Sequence, residues 1–271
     1  QVIRVLMDEL TRIASHELWL GAMAMDLGAF TPFFHAFRER ESINDIMEET
    51  CGARLTMNYM VPGGVMHDLH PNFQKRVKDF MQLYKSKVHE YDEMLTGNII
   101  FQNRMKNVGM LSAEDAIAYG CTGPTARGSG VSCDVRKLYP YEIYNTLEFD
   151  EVLETGGDSF ARYIVRVREM QQSIRIIEQL IDNIPEGDFQ TKTKAVLKLP
   201  KGEFYSRVET ARGELGVYIV SEGATTPYRI KFRSPGFSNL SVLNHIAKGS
   251  KLGDLVAMMG TLDLVIPDID R

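Results

Sequence analysis

The sequence has few of the residues that build metal clusters or disulfide frameworks. Its 271 residues include three cysteines, Cys51, Cys121 and Cys133, and none of them is in a CxxC spacing. An odd number of scattered thiols fits a reducing compartment and supplies no ligands for a cluster. We therefore expect all three cysteines to be packed or idle thiols.

An excess of positive charge is also missing. Lys and Arg total 31 against 36 Asp and Glu, which gives a net charge of −5, and no Lys/Arg cluster occurs. Binding to nucleic acid requires a basic face that meets the phosphates. The composition therefore excludes nucleic acid as the main partner.

Long hydrophobic runs are absent as well. Apolar stretches such as 21–25 and 255–259 are far shorter than the roughly 20 residues of a membrane-spanning helix, and no signal peptide opens the sequence. Hydrophobic residues make up 44% and charged residues 25%, which is typical of a globular protein with a core. We expect any membrane association to come through a partner.

Apolar residues recur with a helical period over three long segments, 1–30, 72–95 and 158–184. After Gly187 the pattern changes to short extended runs at 195–199, 203–209, 217–220 and 228–232, followed by a helical pair at 240–248 and 252–259. The sequence thus predicts a mainly α fold: a long-helix bundle domain over 1–186, and a small α+β C-terminal portion over 187–271 that returns to the bundle.

Local signals set the expected boundaries of these elements. Gly28 and Pro32 should end the first helix, and Gly97 stands where a C-terminal cap of the second belongs. Ser112 and Asp115 form a predicted capping box, and Glu222-Gly223 a hairpin turn. The segment 32–37 is interpreted as a Phe-rich turn, and the charged run 38–41 as a solvated face or an interface with another chain.

Three further motifs have a plain structural interpretation beside a chemical one. The Gly-rich stretch 125–133 lacks the third glycine of a nucleotide fingerprint, so a tight turn is favoured. His67 and His70 form an HxxH motif in a segment bounded by Pro and Gly. We favour a solvated loop over a zinc site there. His16 is expected to be a hydrogen-bonded core histidine.

Several strings, taken together and in order, resemble the D-type, or 49 kDa, quinone-site subunit of respiratory complex I (NADH:quinone oxidoreductase). They are Arg4-Val-Leu-Met-Asp-Glu-Leu-Thr-Arg-Ile13, Asp26-Leu-Gly-Ala-Phe-Thr-Pro-Phe-Phe34, Gly52-Ala-Arg54 with Pro62-Gly-Gly-Val65, Arg127-Gly-Ser-Gly130, Asp134-Val-Arg-Lys137 with Pro140-Tyr141, and Gly260-Thr-Leu-Asp-Leu-Val265 with Asp270-Arg271. The chain resembles an N-terminally truncated fragment of that family's members.

The resemblance implies the fold of nickel–iron hydrogenase large subunits, whose metal is held by CxxC pairs. The matching tail here, 260–263, has no cysteine, so a hydrogenase centre lacks its thiolate ligands. The resemblance implies instead that this chain binds no metal or nucleotide, and that quinone is the substrate. The iron–sulfur cluster and the flavin would belong to partner subunits.

The resemblance also implies roles for individual residues. Asp26 matches a catalytic carboxylate that partners a quinone-site histidine, and Asp263 and Val265 match the tail that lines the quinone pocket. Arg271 matches a terminal arginine near the cluster, whereas Arg54 and Arg127 are weaker candidates for positioning or interface roles. The family's quinone-site His and Tyr belong to an N-terminal segment outside these residues.

The partners implied are other complex I subunits, notably the carrier of the terminal iron–sulfur cluster and a C-type neighbour. The implied location is peripheral, on the cytoplasmic side of the membrane or on the matrix side in mitochondria, with coupling to proton translocation. Two alternatives stay open. One is a metal-free scaffold within the complex, and the other is the equivalent component of an energy-converting hydrogenase.

Overall fold

The computed structural model describes residues 1–194 and 196–270, and four long helices form its body. In chain order the first part contains α1 (Val2–Asp26), α2 (Phe30–Cys51), β1 (Met60–Val61), β2 (Gly64–Val65), α3 (Phe73–Tyr91), α4 (Ile99–Met105), α5 (Ala113–Ala118), α6 (Pro124–Arg127), α7 (Val135–Leu138) and α8 (Ser159–Ile181). The second part contains β3 (Gly202–Thr210), β4 (Gly213–Ser221), β5 (Arg229–Arg233), α9 (Pro235–Ser241), α10 (Leu243–Ile246), α11 (Leu252–Leu262) and α12 (Ile266–Ile269).

Helix α1 is the central element, and it packs against α2, α8 and α11. Its apolar residues recur at helical spacing, so Leu6, Leu10, Ile13 and Leu20 are fully buried in the main core. Burial of such side chains stabilises a fold by roughly 1.5–3 kcal/mol each. The periodic stripe read from the sequence therefore does face the core.

The predicted turn at 32–37 is wrong, because these residues lie in α2. The chain breaks after α1 at Gly28, which has φ +91°, a conformation that favours glycine. Pro32 then sits in the first turn of α2, where its missing N–H has no intrahelical partner to lose. Proline there marks the start of a second helix, so the bundle has four long helices rather than three.

Gly97 is a C-terminal cap, as predicted, although it caps the π-helical turn that continues α3 and its backbone is right-handed. Helix α3 ends at Tyr91 and continues as a π-helical turn, Asp92–Thr96, and Gly97 has φ −79°. The capping box at α5 is confirmed, since the Ser112 Oγ accepts a hydrogen bond from the Asp115 N–H at 3.0 Å. Helix α8 begins at a second side-chain cap, Asp158, as its periodicity predicted.

Strands β3, β4 and β5 form an antiparallel sheet in that order. Ser206 pairs with Val217 in the first ladder and Tyr218 with Lys231 in the second, so the hairpin predicted around Glu222-Gly223 is confirmed. Residues 196–199 of the predicted extended run form no strand, and Ala195 lies outside the described residues. A mainly α fold with a small α+β portion is confirmed.

The C-terminal tail returns to the bundle. Helix α11 packs against α1 and α8, and the Trp19 indole N–H donates to the Gly260 carbonyl at 2.6 Å. A Cβ added at Gly260 would lie 3.2 Å from Met23, so glycine permits this close approach. Over the described residues no helix is both long and apolar enough to traverse a bilayer. A domain boundary near residue 187 stays a prediction.

Candidate functional site at the junction of the bundle and the tail

Asp263 is buried where the tail meets the bundle. It follows the last residue of α11 and has φ +54° and ψ +57°, a left-handed conformation that Asp tolerates better than most residues. Its carboxylate forms an ion pair with Arg212, with Nε and Oδ2 3.2 Å apart and Nη2 and Oδ1 3.3 Å apart. The same guanidinium donates to the Ser15 hydroxyl of α1 at 3.1 Å. Arg212 thus links the β3–β4 hairpin, the tail and α1.

Two buried arginines of α8 lie behind this junction. Arg166 stacks on the Trp19 ring at 4.6 Å, and Arg162 donates to the Thr261 hydroxyl at 3.3 Å. Burial lowers the pKa of each guanidinium to about 10. The charge of Asp263 acts in the opposite direction on the Arg166 pKa and favours the cationic form. The tail carboxylate therefore lies in a cation-rich environment.

A buried ionic core lies beside this junction, and Arg127 is its centre. Its guanidinium lies 2.5 Å from a carboxylate oxygen of Glu169 on α8 and 2.8 Å from one of Glu209 on β3. Burial opposes ionisation of Glu169, but the charge of Arg127 and the hydrogen bond from His16 outweigh it and lower its pKa to about 2. Burial raises the pKa of Glu209, although Arg127 opposes that shift.

Glu9 anchors the second half of this ionic core. The Arg136 Nη1 lies 3.1 Å from its carboxylate, and Ser173 and Tyr144 donate hydroxyl hydrogen bonds to it at 2.6 and 2.7 Å. Burial opposes ionisation of Glu9, but Arg12 and Arg136 outweigh it and lower the pKa. A buried charge is tolerated only when it is paired and hydrogen-bonded in this way.

His16 is the hydrogen-bonded core histidine that was expected. It is fully buried, and its Nε2 lies 3.0 Å from the Glu169 carboxylate. Burial lowers its pKa and thereby favours the neutral ring. Across residues 1–194 and 196–270, no group of three or more His, Cys, Asp and Glu side chains is arranged to hold a metal ion.

A cavity of about 620 Å³ opens next to the junction, and Arg212 is among its lining residues. Its lining includes Asp8, Arg12 and Ser15 of α1, together with Pro62 and the β3–β4 turn. Burial, followed by the neighbouring charge of Glu9, raises the pKa of Asp8 to about 7. The cavity thus contains a carboxyl group that is protonated over part of the neutral range.

Asp26, the predicted catalytic carboxylate, lies at the end of α1 and is exposed. Asp263 is linked to Ser15 of α1 through Arg212, and three residues earlier the tail contacts α1 again, where Gly260 lies against Met23. Asp263 is buried and Asp26 is exposed, so the two carboxylates lie in different surroundings.

The other predicted site residues are dispersed. Val265 is half-buried at the start of α12, close in sequence to Asp263. Arg54 forms a surface cluster with three acidic side chains of α2, Glu41, Asp45 and Glu48. Arg271 lies outside the described residues.

The sequence predictions missed most residues of the ionic core and the arginine that links the elements of the junction. The missed residues are Glu9, Arg12, Arg136, Arg162, Arg166, Glu169, Glu209 and Arg212. A signal was available on α8, because Arg162, Arg166, Glu169 and Ser173 fall on one face at helical spacing. Charged residues inside an apolar stripe indicate buried ion pairs, since such residues are almost never buried alone.

The fold and the site together define a class: a long-helix bundle that buries an ionic core and receives its own C-terminal tail. Residues 26–198 and 194–271 match the family described as respiratory-chain NADH dehydrogenase, 49 Kd subunit. The chain belongs to this family, and the resemblance inferred from the sequence is confirmed.

Individual relatives agree with this assignment. The chain is 55% identical over 269 residues to the C/D-type NADH-quinone oxidoreductase subunit of Bacteroides thetaiotaomicron, covering 99% of this chain and 51% of that protein. It is 47% identical over 271 residues to the second D-type subunit of Solibacter usitatus, covering 100% of this chain and 73% of the relative. It is 46% identical over 270 residues to the D-type subunit of Desulforamulus reducens, covering 100% of this chain and 74% of that protein. The chain thus spans about half the length of the C/D-type relatives.

Proposed function

We propose that this chain forms part of the quinone site of a proton-translocating NADH:quinone oxidoreductase and acts only within the assembled complex. Similarity over the whole chain to relatives named as D-type or C/D-type NADH-quinone oxidoreductase subunits carries the proposal. Electrons would reach quinone from an iron–sulfur cluster on a neighbouring subunit. NADH and flavin would bind elsewhere, and a C-type neighbour would be a further partner.

The quinone would lie along the C-terminal half of α1, between Asp26 and the tail. Exposed apolar side chains, Leu18 and Met25, precede Asp26 on α1, and Val256 and Met259 are exposed on α11. An elongated apolar surface with a carboxylate toward each end suits a small headgroup with a hydrocarbon chain, because such ligands need apolar contact with few polar groups.

In this site each residue would have a separate task. Reduction of quinone to quinol takes two electrons and two protons, so a group that transfers protons must lie near the headgroup. Asp26 would hold and release a proton through a partner histidine supplied from outside these residues. Asp263 and Val265 would line the tail side, and Arg271 would approach the partner's cluster.

The test is Asp26→Asn in the intact complex. We expect quinone reductase activity to fall at least about tenfold, because the amide cannot take up a proton, while the complex still assembles. Electron transfer from NADH to an artificial acceptor upstream of quinone should not change. The control is Asp45→Asn on the surface of α2. Unaltered quinone turnover in Asp26→Asn would remove Asp26 from the mechanism.

A scaffold role is a second candidate. Phe30 and Phe34, at the start of α2, are 60% and 66% exposed, and large apolar side chains side by side on a surface mark an interface. Phe34→Ser in the complex distinguishes the two functions. Loss of assembly, with normal activity in the complexes that do form, would favour the scaffold. A hydrogenase role would require stoichiometric nickel in the full-length protein.

A further inference from the structure

The β3–β4 turn is clamped onto the loop before α6. A Cβ added at Gly123 would lie 2.4 Å from the Arg212 carbonyl oxygen, so the two backbones are in direct contact. The Asn239 side-chain amide also donates to this carbonyl, and the Glu214 N–H donates to the Thr122 hydroxyl at 3.2 Å. The backbone of Arg212 is therefore held from several sides.

From this fixed turn the Arg212 side chain spans two other elements. It donates one hydrogen bond to the Ser15 hydroxyl on α1 and one to the Asp263 Oδ1, and its Nε lies 3.2 Å from the Asp263 Oδ2 without hydrogen-bond geometry. Its side chain is 21% exposed and that of Asp263 is 8% exposed, so solvent screens the pair only partly. A charge-assisted contact of this kind fixes a carboxylate in direction as well as in position.

Asp263 needs such a partner because of its backbone. A non-glycine residue in the left-handed region costs free energy and persists where its surroundings over-determine it. At Asp263 the left-handed conformation turns the chain out of α11 toward Leu264 and Val265. Among the described residues, only Arg212 forms an ion pair with the Asp263 carboxylate.

We propose that Arg212 is a positioning residue, which sets the direction of Asp263 and of the segment leading to Val265 at the bundle–tail junction. It acts through Asp263 and does not touch the substrate. This inference rests on the proposed quinone function. Arg212 lies outside the tail, on the β3–β4 turn, and would control the orientation of the tail residues that line the site.

The experiment uses the complete complex and a short-chain ubiquinone analogue as acceptor. Arg212→Gln should lower kcat/KM for the analogue about tenfold, mainly through KM, because a hydrogen bond to a charged group is worth about that factor and its loss leaves Asp263 without a fixed direction. Electron transfer from NADH to ferricyanide, used as an acceptor ahead of quinone, should stay unchanged. Arg212→Lys should restore part of the loss, since it keeps the charge.

Arg207→Gln is the matched control. Arg207 lies on the same hairpin, where it stacks on Tyr139 and contacts Glu214 but not the tail. Its substitution should leave KM for the analogue unchanged. If Arg212→Gln prevents assembly, Ser15→Ala tests the same link by removing one anchor of the guanidinium, and KM should then rise about twofold.

A double-mutant cycle separates this inference from the proposed function. If Arg212 acts through Asp263, Arg212→Gln in an Asp263→Asn background should cause no further loss. Multiplicative losses would overturn the positioning role while leaving the function intact. Normal kcat/KM in Asp263→Asn alone would remove Asp263 from the site and overturn both.

Discussion

Two arginine–carboxylate clusters in this molecule use the same chemistry in opposite surroundings. In the ionic core Arg127 is fully buried between Glu169 and Glu209. In the surface cluster Arg54 is 36% exposed and is surrounded by Glu41, Asp45 and Glu48. Buried ion pairs cannot lose one partner without stranding the other, whereas exposed ones exchange partners with water. Burial, not residue type, decides how much the loss of each arginine should change the free energy of unfolding.

The largest expected effect is on the ionic core. Arg127→Met should lower the free energy of unfolding by about 3–5 kcal/mol, because it leaves two buried carboxylates without their cation. Urea denaturation measures this loss. Arg175→Met, at an exposed ion pair on α8, is the control and should cost less than about 1 kcal/mol. A similar small loss in both variants would break the contrast between buried and exposed pairs.

Acid should weaken the ionic core through Glu169. Its pKa in the folded chain is about 2, below its ordinary value of 4.5, so its contribution is present above pH 4.5 and is lost as pH falls toward 2. The shift corresponds to roughly 3 kcal/mol. The difference in unfolding free energy between the wild type and Glu169→Gln should shrink over this range. Glu178→Gln, at the exposed ion pair with Lys85, is the surface control.

Asp8 lies between the buried and the exposed environments, because it lines the cavity beside the ionic core. Its folded pKa of about 7 lies above its ordinary value of 3.8, so stability is lost as pH rises from about 4 to 7. Asp8→Asn cannot ionise and should become more stable than the wild type by up to about 4 kcal/mol at pH 8, with no gain at pH 4. Thermal unfolding across pH measures this. Equal gains at both pH values would exclude titration as the cause.

The smallest effect is expected at the surface cluster. Arg54→Gln should change the free energy of unfolding by less than about 1 kcal/mol, and that difference should disappear at 1 M salt, where charges are screened over about 3 Å. Denaturation at low and high salt measures it. The Arg127→Met loss, in contrast, should persist at high salt. A salt-resistant loss at Arg54 would indicate a role beyond its ion pairs with α2.

The sequence predicted helices where the apolar period was regular, as in α8, and where a capping box was present, as at Ser112 in α5. It failed at 32–37, because proline and a run of aromatics indicate a turn when read locally, although proline is also favoured in the first turn of a helix. It identified Asp26 and Asp263 as site residues by resemblance, and these roles stay proposals. It did not reveal Arg212, which is 51 residues from its carboxylate partner along the chain.

By itself the sequence determined the mainly α class, the small α+β portion and the family, because these depend on local periodicity and on short strings in a fixed order. The tertiary structure alone decided which charges are buried together, and that Asp263 is buried whereas Asp26 is exposed. Ion pairs between distant segments form when the chain packs. The separation along the sequence of Arg127 from Glu169 and Glu209 does not predict that they pair. The same holds for Arg212 and Asp263.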